Sequence, residues 1–305
     1  MNSQSKRQSP PLTPIKVTVG IPAYNEEKTI KQLLQSVLDQ PMGNCTFEEV
    51  IVEASGSTDA TALRVADTIK SNPKVKLVAG KRRRGKSAAL NVILQQAKGE
   101  VVVFIDGDLV LRSGCIQTLL KPLLSDERVG IATGEAVPLV MRRNFFGFAS
   151  RFVRELHCRL CTHLMDGNLT PKVNGSFYAL RKEAVEKFPF HVVSDDEYAS
   201  WCAQKKGYKI IYVPDAIVYA VDPVSFRSFI EWQKRTTLGQ MYIKKYFNYT
   251  VPTTKASVLL PVSVKLIGRY RRKPLQILTL IFLLGISMIL AVRTFVRNEI
   301  PYMYG

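Results

Sequence analysis

Between residue 15 and about residue 136, short apolar runs alternate with stretches of helical spacing, and this alternation constrains the fold more than any other feature. Residues 17–21, 49–52, 76–79 and 101–105 read as strands, the last a continuous β-branched and aromatic run. Between them, residues 29–38, 61–69 and 87–97 place apolar side chains three and four apart, as on one face of a helix. A β-α-β-α-β-α-β order predicts an α/β fold: a doubly wound, mostly parallel sheet with helices on both faces. Ligands in such sheets bind beyond the carboxyl ends of the strands, so the residues after each strand are the ones to read for function.

The later half mixes elements. Helices are expected over 145–164, 195–205 and 225–246, and strands over 177–180, 210–213 and 216–221, with a turn at Pro214-Asp215. Residues 256–267 are apolar but carry Pro261 and Lys265, which suits an interfacial helix lying on a membrane. Residues 275–292 form a run without charge, about 27 Å long as a helix, enough to cross a bilayer core. Arg269, Arg271, Arg272 and Lys273 precede it, which places that flank and the domain before it on the cytoplasmic side of a single-pass protein. The expected organisation is a disordered arm over 1–14, one domain over 15–250, a basic interfacial linker over 251–274, a membrane helix over 275–292 and a short tail over 293–305.

With 46% hydrophobic residues among 305, the chain can bury a large core. Five cysteines without paired spacing argue against a disulfide framework. Net charge is +18, which favours anionic partners: nucleic acid, phosphorylated substrates or an anionic leaflet. Aromatic residues scarcely interleave with the basic clusters at 81–84 and 269–273, Tyr270 being the single one within them, which argues against nucleic acid.

Pro22-Ala23-Tyr24-Asn25-Glu26-Glu27 follows the first strand, Gly56-Ser57-Thr58-Asp59 the second, Gly85-Lys86-Ser87 the third and Asp106-Gly107-Asp108 the fourth. Gly85-Lys86-Ser87 opens a helix whose N-terminus can face an anion. Two carboxylates flanking a glycine at the end of a buried strand need a cation, and a hard divalent metal sharing diphosphate oxygens would satisfy them. Successive strand residues point to opposite faces, so a turn at Gly107 is required to bring Asp106 and Asp108 together. A rival reading takes residues 80–87 as a phosphate-binding loop of an NTPase, since they fit G-x-x-x-x-G-K-[ST]. Against it, two β-α units precede the loop, and its four internal residues are all Lys or Arg.

Taken in order over residues 15 to about 245, these motifs resemble those of the family 2 glycosyltransferases, which have the GT-A fold and act with inversion. Ser194-Asp195-Asp196-Glu197, Gly207-Tyr208-Lys209-Ile210 and Val213-Pro214-Asp215-Ala216 resemble that family's stretch around the catalytic base. The resemblance implies a nucleotide-diphosphate sugar donor and Mn²⁺ or Mg²⁺ as cofactor. It implies that Pro22, Tyr24 and Glu26 border the base and ribose, that Lys86 approaches the diphosphate, that Asp106 faces the ribose or sugar and shares the metal, and that Asp108 binds the metal. Asp196 would deprotonate the acceptor hydroxyl, and Asn174 and Gly175 would lie near the sugar, with Asp195, Gln233 and Arg235 on the acceptor side. The chain departs from the family twice. Ala54 and Ser55 stand where two carboxylates often precede Gly-Ser-Thr-Asp, so either Glu53 substitutes or base recognition differs. The processive motif Q-x-x-R-W has no counterpart in Trp232-Gln233-Lys234-Arg235-Thr236-Thr237. The expected acceptor is a lipid or lipid-linked glycan at the membrane, receiving one sugar or few; the alternative is a polymerising synthase subunit served by a partner channel. His157, Cys158, Cys161 and His163 hold four ligand-type side chains, but a helix spreads them over several faces, so they read as packing residues.

Overall fold

The computed structural model describes residues 14–140, 142–190 and 193–297; the arm expected over 1–14 lies, Pro14 apart, outside them. The chain alternates as read: β1 (Ile15–Pro22), α1 (Ile30–Leu38), β2 (Cys45–Glu53), α2 (Thr61–Ser71), β3 (Val75–Val78), α3 (Lys86–Gln96) and β4 (Val101–Ile105). There follow β5 (Val110–Leu111), α4 (Cys115–Ser125), β6 (Val129–Pro138), α5 (Phe145–Asp166), β7 (Phe177–Arg181), α6 (Asp195–Lys205), β8 (Lys209–Ala220), α7 (Phe226–Phe247), α8 (Ala256–Arg269) and α9 (Pro274–Val296).

One eight-stranded sheet runs in the order β3-β2-β1-β4-β7-β6-β8-β5. Its first half, β3-β2-β1-β4, is parallel throughout. β7 enters antiparallel between β4 and β6, β8 runs parallel to β6, and β5 closes the edge antiparallel. Val17, Val19 and Ile21 of β1 and Val101, Val103 and Ile105 of β4 face one apolar cluster with α1 and α4, while Val102 and Phe104 of β4 face a second with α3 and α6. A strand buried on both faces cannot alternate polar and apolar residues, which is why these strands read as continuous runs.

Two elements escape the pattern. α4 carries Pro122 inside it, and β6 carries Gly130, Gly134 and a terminal Pro138, so each contains a residue that normally breaks its own class. The turn expected at Pro214-Asp215 is absent: β8 is a single strand. Its register against β6 slips, with Thr133 opposite Tyr212 but Glu135 opposite Ile217. Residues 213–216 therefore face Gly134 alone, and Pro214 and Asp215, both exposed, bow outward as a bulge where proline's missing N–H costs no ladder bond.

α5, α7, α8 and α9 pack beside the sheet. α8 rests on α5 through Val258 and Val262 against Leu160 and Leu164. α9 packs against α7 and α5, joining Ile277, Leu280 and Leu283 to Phe229, Phe148 and Phe152. Among the described residues α9 is the one helix long and apolar enough to cross a membrane, and it runs beyond the expected 275–292 at both ends.

Candidate active site

The loops after β1, β2, β3 and β4 meet at the carboxyl edge of the sheet, as parallel topology dictates. They are tied to one another by side chains. Asn25, at φ 57, accepts a bond from the Thr58 backbone N–H through Oδ1 at 2.8 Å. The Glu27 N–H donates to Asp59 Oδ2 at 3.1 Å, and Asp59 Oδ1 accepts from the Thr61 N–H at 2.9 Å. The Gly56-Ser57-Thr58-Asp59 turn thus caps α2 and clamps the first loop. Thr29 Oγ1 donates to the Gly107 carbonyl at 2.9 Å, joining the first loop to the fourth.

The required turn at Gly107 is present, directly beyond β4. A Cβ at Gly107 would meet Glu26 Cγ at 2.9 Å, so glycine allows Glu26 to lie against the turn that carries Asp106 and Asp108. Burial and the neighbouring Asp108 and Asp106 charges push Glu26 up to about 7. Asp108 is likewise raised, by burial and then by Asp106. Among the described residues no group of three or more His, Cys, Asp and Glu side chains is placed to hold a metal ion by itself. Asp106 and Asp108, with Glu26 beside them, nonetheless form an oxygen-only set whose ionised forms repel, and this fits a hard divalent cation that also takes oxygen ligands from elsewhere.

Lys86, the first residue of α3, spans the middle of the site. Its Nζ lies 2.8 Å from Asp106 Oδ1 and 3.5 Å from Asp195 Oδ2, and it donates to the Gly175 carbonyl at 3.0 Å. Burial opposes its charge, but Asp106 and Asp195 outweigh that and hold the ammonium protonated. This placement, off an edge strand and between two carboxylates, removes the phosphate-loop NTPase reading. The neighbouring basic run turns inward at one residue: the Arg83 guanidinium stacks 3.4 Å from the centre of the Tyr24 ring.

At the N-terminus of α6, Asp196 is held from several sides. Ser194 Oγ donates a short hydrogen bond to its Oδ1, the Glu197 N–H donates to the same oxygen at 2.9 Å, and Lys172 Nζ lies 3.4 Å from Oδ2. Burial disfavours the Asp196 charge, yet Lys172 and Ser194 more than compensate and keep it below the usual carboxylate range. Asp195 goes the other way: burial pushes it up to about 6 despite Lys86. The cavity between these elements has a volume of about 550 Å³ and is lined by every residue singled out from the sequence: Pro22, Tyr24, Glu26, Glu53, Lys86, Asp106, Asp108, Asn174, Gly175, Asp195, Asp196, Gln233 and Arg235.

The model for glycosyl transferase family 2 matches residues 18–188, more than half of the chain. The chain belongs to this family. It is 25% identical over 242 residues to the probable glycosyltransferase YdaM of Bacillus subtilis (strain 168), covering 75% of this chain and 56% of the relative. It is 25% identical over 230 residues to the poly-beta-1,6-N-acetyl-D-glucosamine synthase of Staphylococcus aureus (strain COL), covering 73% and 54%. The chain thus spans about half the length of the curated relatives it matches. Among solved structures it superposes on the mannosyltransferase PcManGT from Pyrobaculum calidifontis in complex with GDP-Man and Mn²⁺, with a TM-score of 0.62, 24% identity and coverage of 93% and 88%. A second, glucosyl-3-phosphoglycerate synthase from Mycobacterium tuberculosis in complex with Mn²⁺, uridine diphosphate and phosphoglyceric acid, gives 0.53, 23%, 76% and 78%. The GT-A fold is shared with both.

The cavity also contains side chains that no motif announces. Lys172, mostly but not fully buried, pairs with Glu197 Oε1 at 3.1 Å as well as with Asp196. Arg154 on α5 holds Asp222 at 2.8 Å and donates to the Ala136 carbonyl at 3.0 Å, with its guanidinium 5.9 Å from the Trp232 ring. Glu135 accepts a short hydrogen bond from the Tyr212 hydroxyl, and burial pushes it up to about 7. His157 lines the cavity one turn from Arg154; burial, with Lys172 nearby, pushes it down to about 4, so it is neutral. Its Nε2 lies 3.6 Å from Cys161 Sγ, while His163 is exposed, so the helix spreads the Cys/His run over several faces. The available signal was Arg154, His157 and Cys161 at three- and four-residue spacing, a polar stripe on an otherwise apolar helix face.

Proposed function

We propose that this chain transfers a sugar from a nucleotide-diphosphate donor to an acceptor hydroxyl with inversion, with Mn²⁺ or Mg²⁺ as cofactor. The observation that carries this is Lys86, bridging Asp106 at the donor edge to Asp195, next to Asp196, inside one cavity. Pro22, Tyr24 and Glu53 border the nucleoside, with Arg83 stacked on Tyr24 at its entrance. Asp108 and Asp106 would hold the divalent ion, which supplies charge neutralisation on the departing diphosphate when bound. Lys86 contributes a second, fixed positive charge toward the same phosphates. Asp196 is the general base: pinned by Lys172, Ser194 and the Glu197 N–H, it is ionised and oriented to accept the proton of the attacking hydroxyl. Asn174, Gly175, Asp195, Gln233 and Arg235 surround the sugar and acceptor. Both structural relatives named above were solved with Mn²⁺ and a guanosine or uridine nucleotide, which supports the donor class.

The acceptor in this reading is a lipid or lipid-linked glycan, brought to the site along a membrane that α9 contacts, and one sugar or few are added. Thr236 after Arg235, where the processive motif has Trp, supports short products. Trp232 in the cavity wall favours the second reading, a polymerising synthase, because it offers a growing chain an aromatic surface. Radiolabelled nucleotide sugars screened against membranes containing the chain test the first reading. One donor should label a lipid extract; long labelled chains formed while most acceptor stays unused would select the second, and no labelling by any donor would refute both.

A further inference from the structure

We propose that α8 and α9 lie in the plane of one leaflet of an anionic bilayer, with both ends of α9 on the same side, in place of the single-pass span expected from the sequence. This rests on the membrane association proposed above and specifies its geometry.

α9 runs parallel along α7. Near its start Ile277 shares a cluster with Phe229 of α7; near its end Phe295 packs with Tyr242 and Ile243, and Lys245 Nζ stands 5.0 Å from the Phe295 ring. From Phe229 to Ile243 is about 21 Å along α7, so the two axes stay close to aligned. If α9 crossed a bilayer, α7 would share its direction and depth. α7 carries Glu231, Lys234 and Arg235, and its Gln233, Arg235 and Thr236 wall the cavity that holds Asp195 and Asp196. Charged side chains at bilayer midplane are costly on every scale. Lying flat, α9 avoids this burial altogether.

The surface that remains suits a leaflet. Leu275, Leu278, Phe282, Ile289, Val292 and Val296, between 42% and 76% exposed, recur at helical spacing on the face of α9 turned away from α7. This stripe is about 32 Å long. α8 extends it with exposed Leu260, Val264 and Ile267. At the corner between the helices Arg269, Arg271, Arg272 and Lys273 are all exposed; Arg269 is paired with Glu155 at 2.8 Å, and Arg271 and Arg272 would each gain about 1 kcal/mol, about fivefold in affinity, at an anionic surface. Apolar stripe and basic corner together match a headgroup–acyl boundary rather than a second protein chain.

The test uses membrane vesicles from cells making the full chain with a different epitope added at each end. Protease added outside should leave both epitopes the same fate. Digestion of one with protection of the other would show that α9 spans and overturn the in-plane geometry. Chain absent from the vesicles altogether would instead sink the membrane association beneath it. Purified protein should also bind phosphatidylcholine vesicles containing phosphatidylglycerol about ten- to thirtyfold more tightly than its Arg271→Ala/Arg272→Ala variant. Equal binding by both, or self-association through α9 without vesicle binding, would overturn the leaflet as the occupant.

Discussion

The two halves of the sheet solve different problems. The donor half, β1 to β4, is parallel, and its functional residues sit in the four loops that the topology delivers to one edge. The acceptor half, β5 to β8 with α5 to α7, is mixed, and its functional residues come from helix faces and from the loop before β7. In the donor half the loops are locked by hydrogen bonds among themselves, as between Asn25 and Thr58 or Glu27 and Asp59. In the acceptor half the locks are buried ion pairs, Lys172 with Asp196 and Glu197, and Arg154 with Asp222. Lys86 is the side chain that touches carboxylates of both. In the proposed function the donor half holds the nucleotide, the acceptor half the base, and transfer needs both.

Variants that silence one half sharpen this division. Asp196→Asn should lower turnover 10²–10⁴-fold while donor affinity, read by calorimetry, stays unchanged. If Asp195→Asn is the dead variant and Asp196→Asn is active, the base is the neighbouring carboxylate, the one whose pKa is pushed up to about 6. On the donor side, Asp108→Ala or excess chelator should abolish transfer and weaken donor binding together, on the order of 10²–10³-fold, with Mn²⁺ or Mg²⁺ restoring the chelated enzyme. Full activity in chelator would remove the metal from the account.

A smaller effect is expected at Lys172. Lys172→Met leaves Asp196 and Glu197 buried side by side without a cation. Turnover should fall about 10–100-fold, and the acidic limb of the pH–rate profile should move to higher pH, because Asp196 loses the charge that holds its pKa down. A lower rate with an unmoved profile would make Lys172 a packing residue only. The smallest effect concerns stability. His157 is held neutral at a pKa of about 4 against 6.5 for an ordinary histidine, so the unfolded chain takes up a proton first as pH falls. Its contribution is present above pH 6.5 and is lost down to pH 4, on the order of 1–3 kcal/mol, less where the ring meets cavity water. His157→Gln should flatten that part of the stability–pH curve; an unchanged slope in denaturant titrations would show that the ring is solvated.

The same division explains what could be read in advance. Donor-half residues were legible because a buried parallel strand is a continuous apolar run and its ligand loop must follow it; Glu26, Lys86, Asp106 and Asp108 were found by position after a strand. Asp196 was legible through the family's motif at a helix N-terminus. Lys172, Glu135, Arg154 and His157 were not, because their place in the cavity depends on how α5 docks on β6 and on a loop without regular structure. β6 and α4 hid behind glycines and a proline, and the bulge at Pro214-Asp215 looked like a turn because the residues that bow out of a strand are those that make turns.

Transfer by the purified full chain, followed to the anomeric configuration of its product, tests the central claim most directly. With the matching nucleotide sugar, Mn²⁺ and a lipid acceptor, an α-linked donor should give a β-linked product, formed by wild type and not by Asp196→Asn. An α-linked product, or equal transfer by Asp196→Asn, would contradict direct displacement by a hydroxyl that Asp196 deprotonates.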